Sequence, residues 1–388
     1  MGGFAYRENT GDVSARVLAQ VERRHFVRHL YGDDTNYFLD GAGVWTISPR
    51  QFAWTVEDTF RQVLLDITAP DTPTNRTKSN AFSTGPDFTF PVSSSNSIAI
   101  GGRYGRLDIE KSVNDNRRRA AYVRGLHVMS PQTTLSLNYE AGRAYFEPGV
   151  QVFAKILRED WFARYETYFS ANSAAIDVGT SRVTRYGGDA LDGRRFVRLT
   201  MTEAFSSQSV LRFMLSDQYS DTYTDMIKGV TSSTAPTDTG AGGPHGPDFA
   251  NGDLYRNRRG DLAFTNNDGR FGYTLQAYGR HIDFVSLPQD FRDNGWRFLW
   301  SWVYSGATRF TASSDYSKRT FEGLDRADTD RSVSAGVVFR LNRNVTVTAE
   351  GARIVRHSTL PFSSFVDDRA MLLLGYSSGP LYDARSRR

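Results

Sequence analysis

Cysteine is absent from this 388-residue chain. Its absence excludes disulfides, thiolate metal sites and cysteine nucleophiles together. Long apolar runs are missing too: no stretch approaches the ~18 consecutive apolar residues of a membrane-spanning helix. Helix signals are scarce, because no segment sustains an i, i+3, i+4, i+7 apolar pattern between caps. The opening MGGFAYRENTGD holds no basic stretch followed by an apolar one, so the expectation is a chain numbered after a removed signal sequence. Charge of one sign is missing as well. The 47 Lys and Arg against 43 Asp and Glu leave a net charge of +4, without the one-signed stripe of a nucleic-acid binder. Aliphatic content is thin: hydrophobic residues make up 39% of the chain, below the roughly 45–50% of an ordinary globular domain.

Aromatic residues are abundant, at 13% of the chain, and many fall on alternate positions. In GWRFLWSWVYSG (295–306), Trp296, Phe298, Trp300, Trp302 and Tyr304 share one register, against Arg297, Leu299, Ser301, Val303 and Ser305. A period of two means a strand with two unlike faces. The same theme recurs in VSARVLAQV (13–21), ILREDWFARYETYF (156–169), RFVRLTMTEAF (195–205) and SVSAGVVFRL (332–341). A soluble sheet with one covered face competes with this reading. It leaves unexplained why the polar face is also the inside of a closed sheet.

The connections fall into two alternating classes. Short turns occur at 48–50, 93–96, 130–132, 171–172, 206–208, 267–269, 305–308 and 342–344. Longer polar loops occur near 27–35, 67–80, 111–116, 147–154, 186–194, 227–252, 285–292, 321–329 and 357–366. This pattern predicts an all-β fold: a transmembrane, antiparallel, up-and-down β-barrel of about 18 strands, 16 at the low end, in the bacterial outer membrane. Short turns face the periplasm, long loops face the cell surface, and both termini are expected at the short-turn end. Residues 1–388 read as one domain, with a lead at 1–11, a polar tail at 383–388 and a long loop at 227–252.

The aromatic register is expected to form a lipid-facing belt of Trp45, Trp54, Trp161, Trp296, Phe298, Trp300, Trp302 and Tyr304. The opposite register supplies pore-lining candidates: Arg16, Glu57, Arg61, Arg103, Glu140, Arg158, Asp160, Arg164, Glu166, Arg198, Arg340 and Glu350. Such charges belong where water or an opposite charge reaches them. Lumen aromatics that could stack on sugars are few, Phe162 and Phe196 among them. The segment 117–130 leaves its register open: one choice sends Arg124 toward lipid, the other His127. The Gly- and Pro-rich 227–252 loop is a surface loop or a gate folded into the mouth.

No catalytic constellation is visible. The chain has no GxSxG elbow and no HExxH motif. His25 and His29 have metal-compatible spacing only on a helix, and the segment reads as a strand end. The sets Asp217, Asp221, Asp225 and Asp325, Asp328, Asp330 match no EF-hand. Neither catalytic residues, metal ligands nor cofactors are expected, and the chain is not read as an enzyme.

The blocks NYFLDGAGVWTISPRQFAWTVEDTFRQ (36–62), VMSPQTTLSLNYEAG (128–142), YFSANSAAIDVGTSRVTRY (168–186) and AFSSQSVLRFMLSDQYSDTY (204–223) join wall strands through Ser- or Pro-centred turns. In this the chain resembles the outer-membrane β-barrel porins associated with exosortase (PEP-CTERM) and exopolysaccharide-export systems. The resemblance implies a pore for hydrophilic solutes serving exopolysaccharide export. Outer-membrane lipid, polysaccharide and periplasmic export-machinery proteins would be its partners. It carries over no site residues. A general diffusion porin and a scaffold barrel plugged by a partner protein remain open as alternatives.

Overall fold

The computed structural model describes residues 2–24, 33–67, 69, 73–110, 115–146, 155–186, 190–232, 254–285, 289–361 and 363–376. The first ten strands are β1 (Gly2–Thr10), β2 (Val13–Arg24), β3 (Asp34–Ser48), β4 (Phe52–Leu64), β5 (Arg76–Pro91), β6 (Asn96–Ile109), β7 (Asn116–Ser130), β8 (Thr133–Phe146), β9 (Lys155–Phe169) and β10 (Asn172–Tyr186). Then come β11 (Ala190–Ala204), β12 (Ser209–Ser220), helix α1 (Thr222–Ser232), β13 (Tyr255–Asn267), β14 (Phe271–Phe284), β15 (Phe291–Val303), β16 (Thr308–Phe321), β17 (Arg326–Arg340), β18 (Val345–Ser358) and β19 (Phe365–Tyr376). Each strand pairs antiparallel with the next. The result is a nearly closed up-and-down outer-membrane barrel, with a seam between β1 and β19 where no ladder forms. Pairing every strand with its neighbours satisfies backbone groups that lipid cannot.

The described residues form nineteen strands, one more than the about eighteen expected. Residues read as a lead form β1, which turns at Gly11–Asp12 and pairs with β2 from Gly2↔Val21 to Thr10↔Val13. Phe4 and Tyr6 carry its outward register. Two aromatics are too few to register as periodicity, and so the strand was hidden in the sequence. An odd count also puts the start of β1 at the long-loop rim and the end of β19 at the short-turn rim, rather than both at the short-turn end.

Five of the short turns share one device. Ser93 Oγ accepts the backbone N–H of Ser95 and Asn96 (3.3 and 3.0 Å), and Ser206 Oγ those of Gln208 and Ser209 (3.1 and 3.0 Å). Asp268 Oδ1 accepts from Arg270 and Phe271 (2.8 and 2.6 Å), Ser305 Oγ and Asn342 Oδ1 from the two equivalent groups of their own turns. A short side chain that bonds its own backbone two residues on makes Ser, Asn and Asp the turn-formers here.

Register fixes the two faces. On β15, Trp296, Phe298, Trp300 and Trp302 point outward and stack across strands: Trp302 on Phe271 (6.1 Å) and Phe310 (5.6 Å), Trp296 on Tyr316 (6.4 Å). Trp45 lies opposite Trp54, and Trp161 against Tyr139 at 4.0 Å. Tyr304 is exposed in the adjoining turn. The 117–130 segment also resolves. Ala121 and Val123 share the outward row with Gly102 and Ile100. Arg124 points inward, donating to Asn138 Oδ1 at 2.6 Å. His127 falls on the outer face near the short-turn rim, 2.9 Å from Asn96. The ladder with β8 shifts register between Val128 and Ser130.

Gly179 is needed where β9 and β10 cross tightly. A Cβ there would overlap the Trp161 carbonyl oxygen and lie 2.6 Å from Phe162 Cα. Gly179→Ala is expected to destabilise the barrel by about 1–3 kcal/mol, the usual cost of overpacking. The urea midpoint of unfolding from liposomes measures it, and an unchanged midpoint contradicts the close approach.

Candidate functional site

All twelve charged residues singled out for the wall occupy the inward register, and eight strands supply them. They are ion-paired more than free. Arg158 meets Asp160 at 2.6 Å, with both side chains largely buried, and Arg164 meets Glu166 at 3.0 Å. Asp177 sits between Arg198 (2.8 Å) and Arg164 (3.8 Å). Arg103 bonds Asp87 at 2.7 Å, while Tyr122 and Thr55 donate to the same carboxylate. Arg16 lies 3.7 Å from Asp40. Glu57 is buried, Glu140 lies opposite Asp160, and Arg61, Arg340 and Glu350 complete the inward set.

Several wall pairs escaped the sequence reading: Arg259–Asp261, Arg326–Asp328, Arg356–Asp330, Arg297–Asp315, and Asp293 between Arg280 and Arg319. A signal for some of them exists. Arg-x-Asp or Arg-x-Glu places opposite charges on one strand face two residues apart, as at 158–160, 164–166, 259–261 and 326–328. Phe162 and Phe196 do not form an open stacking platform. They lie against each other at 4.8 Å beneath the Arg198 guanidinium, and only 5% and 1% of their surface is exposed.

Burial is graded along the barrel. Near the short turns, Arg16 and Arg164 each keep 34% of the side chain exposed and Arg340 is exposed. Near the long loops, Arg326 and Asp328 keep 4% and 5%. Two chain segments fold into that upper end. The first is helix α1. Asp221 caps it, accepting the Thr224 N–H (2.8 Å) and hydroxyl (3.1 Å), and also takes a 2.7 Å ion pair from Arg118 of β7. Such a cap satisfies a helix N–H that would otherwise be buried without a partner. Tyr223 packs under the Arg118 guanidinium at 4.6 Å. Met226 is fully buried among Val63, Ala81, Leu107 and Ile109, with its sulfur 3.4 Å from Ser79 Oγ. Asp225 accepts from Tyr255 across the lumen at 2.7 Å.

The second segment follows β4. Leu64 and Ile67 join Tyr255, Ile282, Phe284, Phe291 and Phe321 in an apolar cluster, so the β4–β5 connection reaches the far wall. Asn75 ties it down, donating to the carbonyls of Asp66 (2.8 Å) and Ala69 (3.2 Å). The upper end of the lumen is therefore filled by Asp221–Ile227 and the described part of the β4–β5 connection. Residues 233–252 lie outside the described residues, as do His25 and His29. The two Asp sets do not converge: Asp217 pairs outward with Arg256, Asp221 caps α1, and Asp328 and Asp330 are each held by arginine. Among the described residues no group of three or more His, Asp or Glu is placed to hold a metal ion.

No family model and no curated protein matches the chain. Solved structures do. The FrpB iron transporter of Neisseria meningitidis aligns over 98% of this chain in two variants. The F5-1 variant gives a TM-score of 0.56 at 10% identity over 74% of its own chain, the F3-3 variant 0.53 at 10% identity over 72%. At this identity the likeness is one of fold, that of a large antiparallel β-barrel.

The α1 anchor has a defined pH response. Burial alone raises the Asp221 carboxyl, but the Arg118 charge, the Thr224 N–H and Arg158 outweigh it and hold it below the usual carboxylate range. A depressed folded-state value adds stability above the unfolded pKa of about 4, lost as pH falls through the folded value. Trypsin cleavage after Lys228, measured relative to an unstructured peptide substrate at the same pH, should stay slow and constant from pH 8 to about 5. Asp221→Asn, which leaves Arg118 buried without its carboxylate at a cost of roughly 3–5 kcal/mol, should accelerate cleavage across that range. Equal rates in variant and parent contradict the anchor.

Proposed function

We propose that this chain is a gated outer-membrane conduit for hydrophilic solutes, closed at its cell-surface mouth by its own helix α1 and the β4–β5 connection. One observation carries the reading: a polar lumen, accessible toward the periplasmic turns, ends in a buried plug anchored by Arg118–Asp221 and Met226. A conduit open from inside and shut from outside suits cargo that arrives from the periplasm. The resemblance to exosortase-associated porins names exopolysaccharide as that cargo, with periplasmic export proteins delivering it. Alternating guanidinium and carboxylate groups along the wall give sugar hydroxyls both donors and acceptors. This contribution replaces the stacking surface that Phe162 and Phe196 withhold. No catalytic role is proposed. Uptake of a metal complex is the second reading, favoured by the fold likeness to the FrpB iron transporter.

Planar-bilayer conductance tests the gate. Gly105 faces Tyr223 so closely that a Cβ there would lie 2.5 Å from Tyr223 Cζ and overlap its hydroxyl. Gly105→Ala is therefore expected to push the Tyr223 ring, and α1 with it, from this seat without unpairing a charge. The parent barrel is expected to open rarely, and the variant to conduct several-fold more on average. Long acidic or neutral oligosaccharides added to the periplasmic side should block the open variant. Full conductance in the parent, unchanged by Gly105→Ala, overturns the gate. An open variant indifferent to oligosaccharides leaves a diffusion porin, and one blocked only by ferric chelates favours metal-complex uptake.

A further inference from the structure

Above the aromatic belt, the outer wall is charged unevenly around its circumference. On the β12–β16 side, outward cations are matched by acids: Arg256 with Asp217 at 2.5 Å, Arg258 with Asp283 at 2.6 Å, Arg292 with Glu322 at 2.8 Å. On the β6–β9 side they are not. Arg117 lies directly opposite Arg106, and Arg119 directly opposite Arg143. Lys155 sits one strand on, opposite Tyr145. Like charges directly across a strand pair are destabilising, and two such pairs adjoin here.

The neighbouring acids are engaged elsewhere. Asp108 pairs with Arg106 at 2.6 Å, Glu110 with Lys78 at 3.6 Å, and Glu159 accepts from Tyr139 at 2.8 Å. Among the described residues no carboxylate pairs with Arg117, Arg119, Arg143 or Lys155. Arg117 and Arg119 are exposed. Arg143 leans on Tyr186, 5.4 Å from the ring and 3.1 Å from the hydroxyl, and Lys155 on Tyr145 at 5.7 Å. The height is right for an interface. Eight residues separate Leu135 from Arg143 along the outward row of β8. At ~3.4 Å per residue and a tilt near 40°, that is about 20 Å up an apolar band about 25 Å tall. Tyrosines at this level are the amphipathic rings of a headgroup zone.

We infer that Arg117, Arg119, Arg143 and Lys155 form a binding surface for the phosphate groups of an outer-leaflet lipid. Planar guanidinium groups bind phosphate oxygens in pairs. A phosphate seated among them offsets the repulsion of Arg119 and Arg143 across their strand pair, and supplies the anion that Arg117 and Lys155 lack among the described residues. Acyl chains of the same lipid would lie along Val123, Tyr139 and Trp161 just below.

Native mass spectrometry of the purified barrel tests this, with diphosphorylated lipid A and its dephosphorylated form as probes. The phosphorylated lipid should be retained at one copy per barrel through detergent exchange, the dephosphorylated one lost. Arg117→Gln with Arg119→Gln should weaken retention at least tenfold, while Arg256→Gln with Arg258→Gln leaves it unchanged. Should the double variant fold poorly, Arg119→Gln alone gives a smaller loss of the same sign, and the two-lipid comparison on the parent needs no variant. Equal retention of both lipids, or equal losses in the two double variants, overturns the proposal. So does displacement by inorganic phosphate at matching concentration, which would mark an anion site without a lipid.

Discussion

Inside a bilayer every backbone N–H and C=O needs a partner within the chain, and this constraint organises the whole molecule. Among the described residues it joins nineteen strands into one nearly closed sheet. A closed sheet has an inside, and period two then assigns every second residue to it. Lipid selects rings and aliphatics for one register; the other is left to charges that must find water or each other. The Arg–Asp ladder of the wall is thus a consequence of closure as much as a device for function.

Charge pairing sets where the lumen is wet and where it is sealed. Toward the short turns, pairs such as Arg16–Asp40 are loose and solvated. Such pairs contribute little stability. Toward the long loops, Arg158–Asp160 and Arg326–Asp328 are desolvated, and losing one partner there strands a buried charge. Arg118–Asp221 belongs to the second kind but joins wall to plug rather than wall to wall. It ties the fate of α1 to the integrity of the upper barrel. The inward Leu107, Ile109 and Val63 make sense only with that helix in place, since they would otherwise line a polar lumen.

The fold was legible because its determinants are local. Trp296 to Trp302 announce a strand and its outward face, and the Ser-, Asn- and Asp-started turns mark its ends. Inward positions such as Arg158, Arg198 and Glu350 followed from the same alternation. What failed to show depends on partners distant in sequence. β1 carries only Phe4 and Tyr6 as outward rings and is defined by β2. The register of 117–130 is settled by Ile100 and Tyr139 on the neighbouring strands. Helix α1 spans only eleven residues. Its apolar positions Tyr223, Met226, Ile227 and Val230 do follow helical spacing, but so short a run does not stand out among nineteen strands. Met226 and Tyr223 find their pocket on β4, β5 and β6. Phe162 and Phe196, the few lumen aromatics that the sequence offered for stacking, are covered by Arg198, which extends from β11 over both rings.

If α1 occupies the mouth in the membrane itself, one introduced thiol reports it cleanly, because the chain lacks cysteine. Ser79 is fully buried beneath Met226, whereas the inward Thr348 is half-exposed lower in the lumen. In intact outer membranes, Ser79→Cys should resist a small water-soluble thiol reagent that modifies Thr348→Cys readily, and should become reactive when Gly105→Ala is added. Rapid modification of Ser79→Cys in the otherwise unaltered barrel would contradict the account, because it would place α1 outside the mouth.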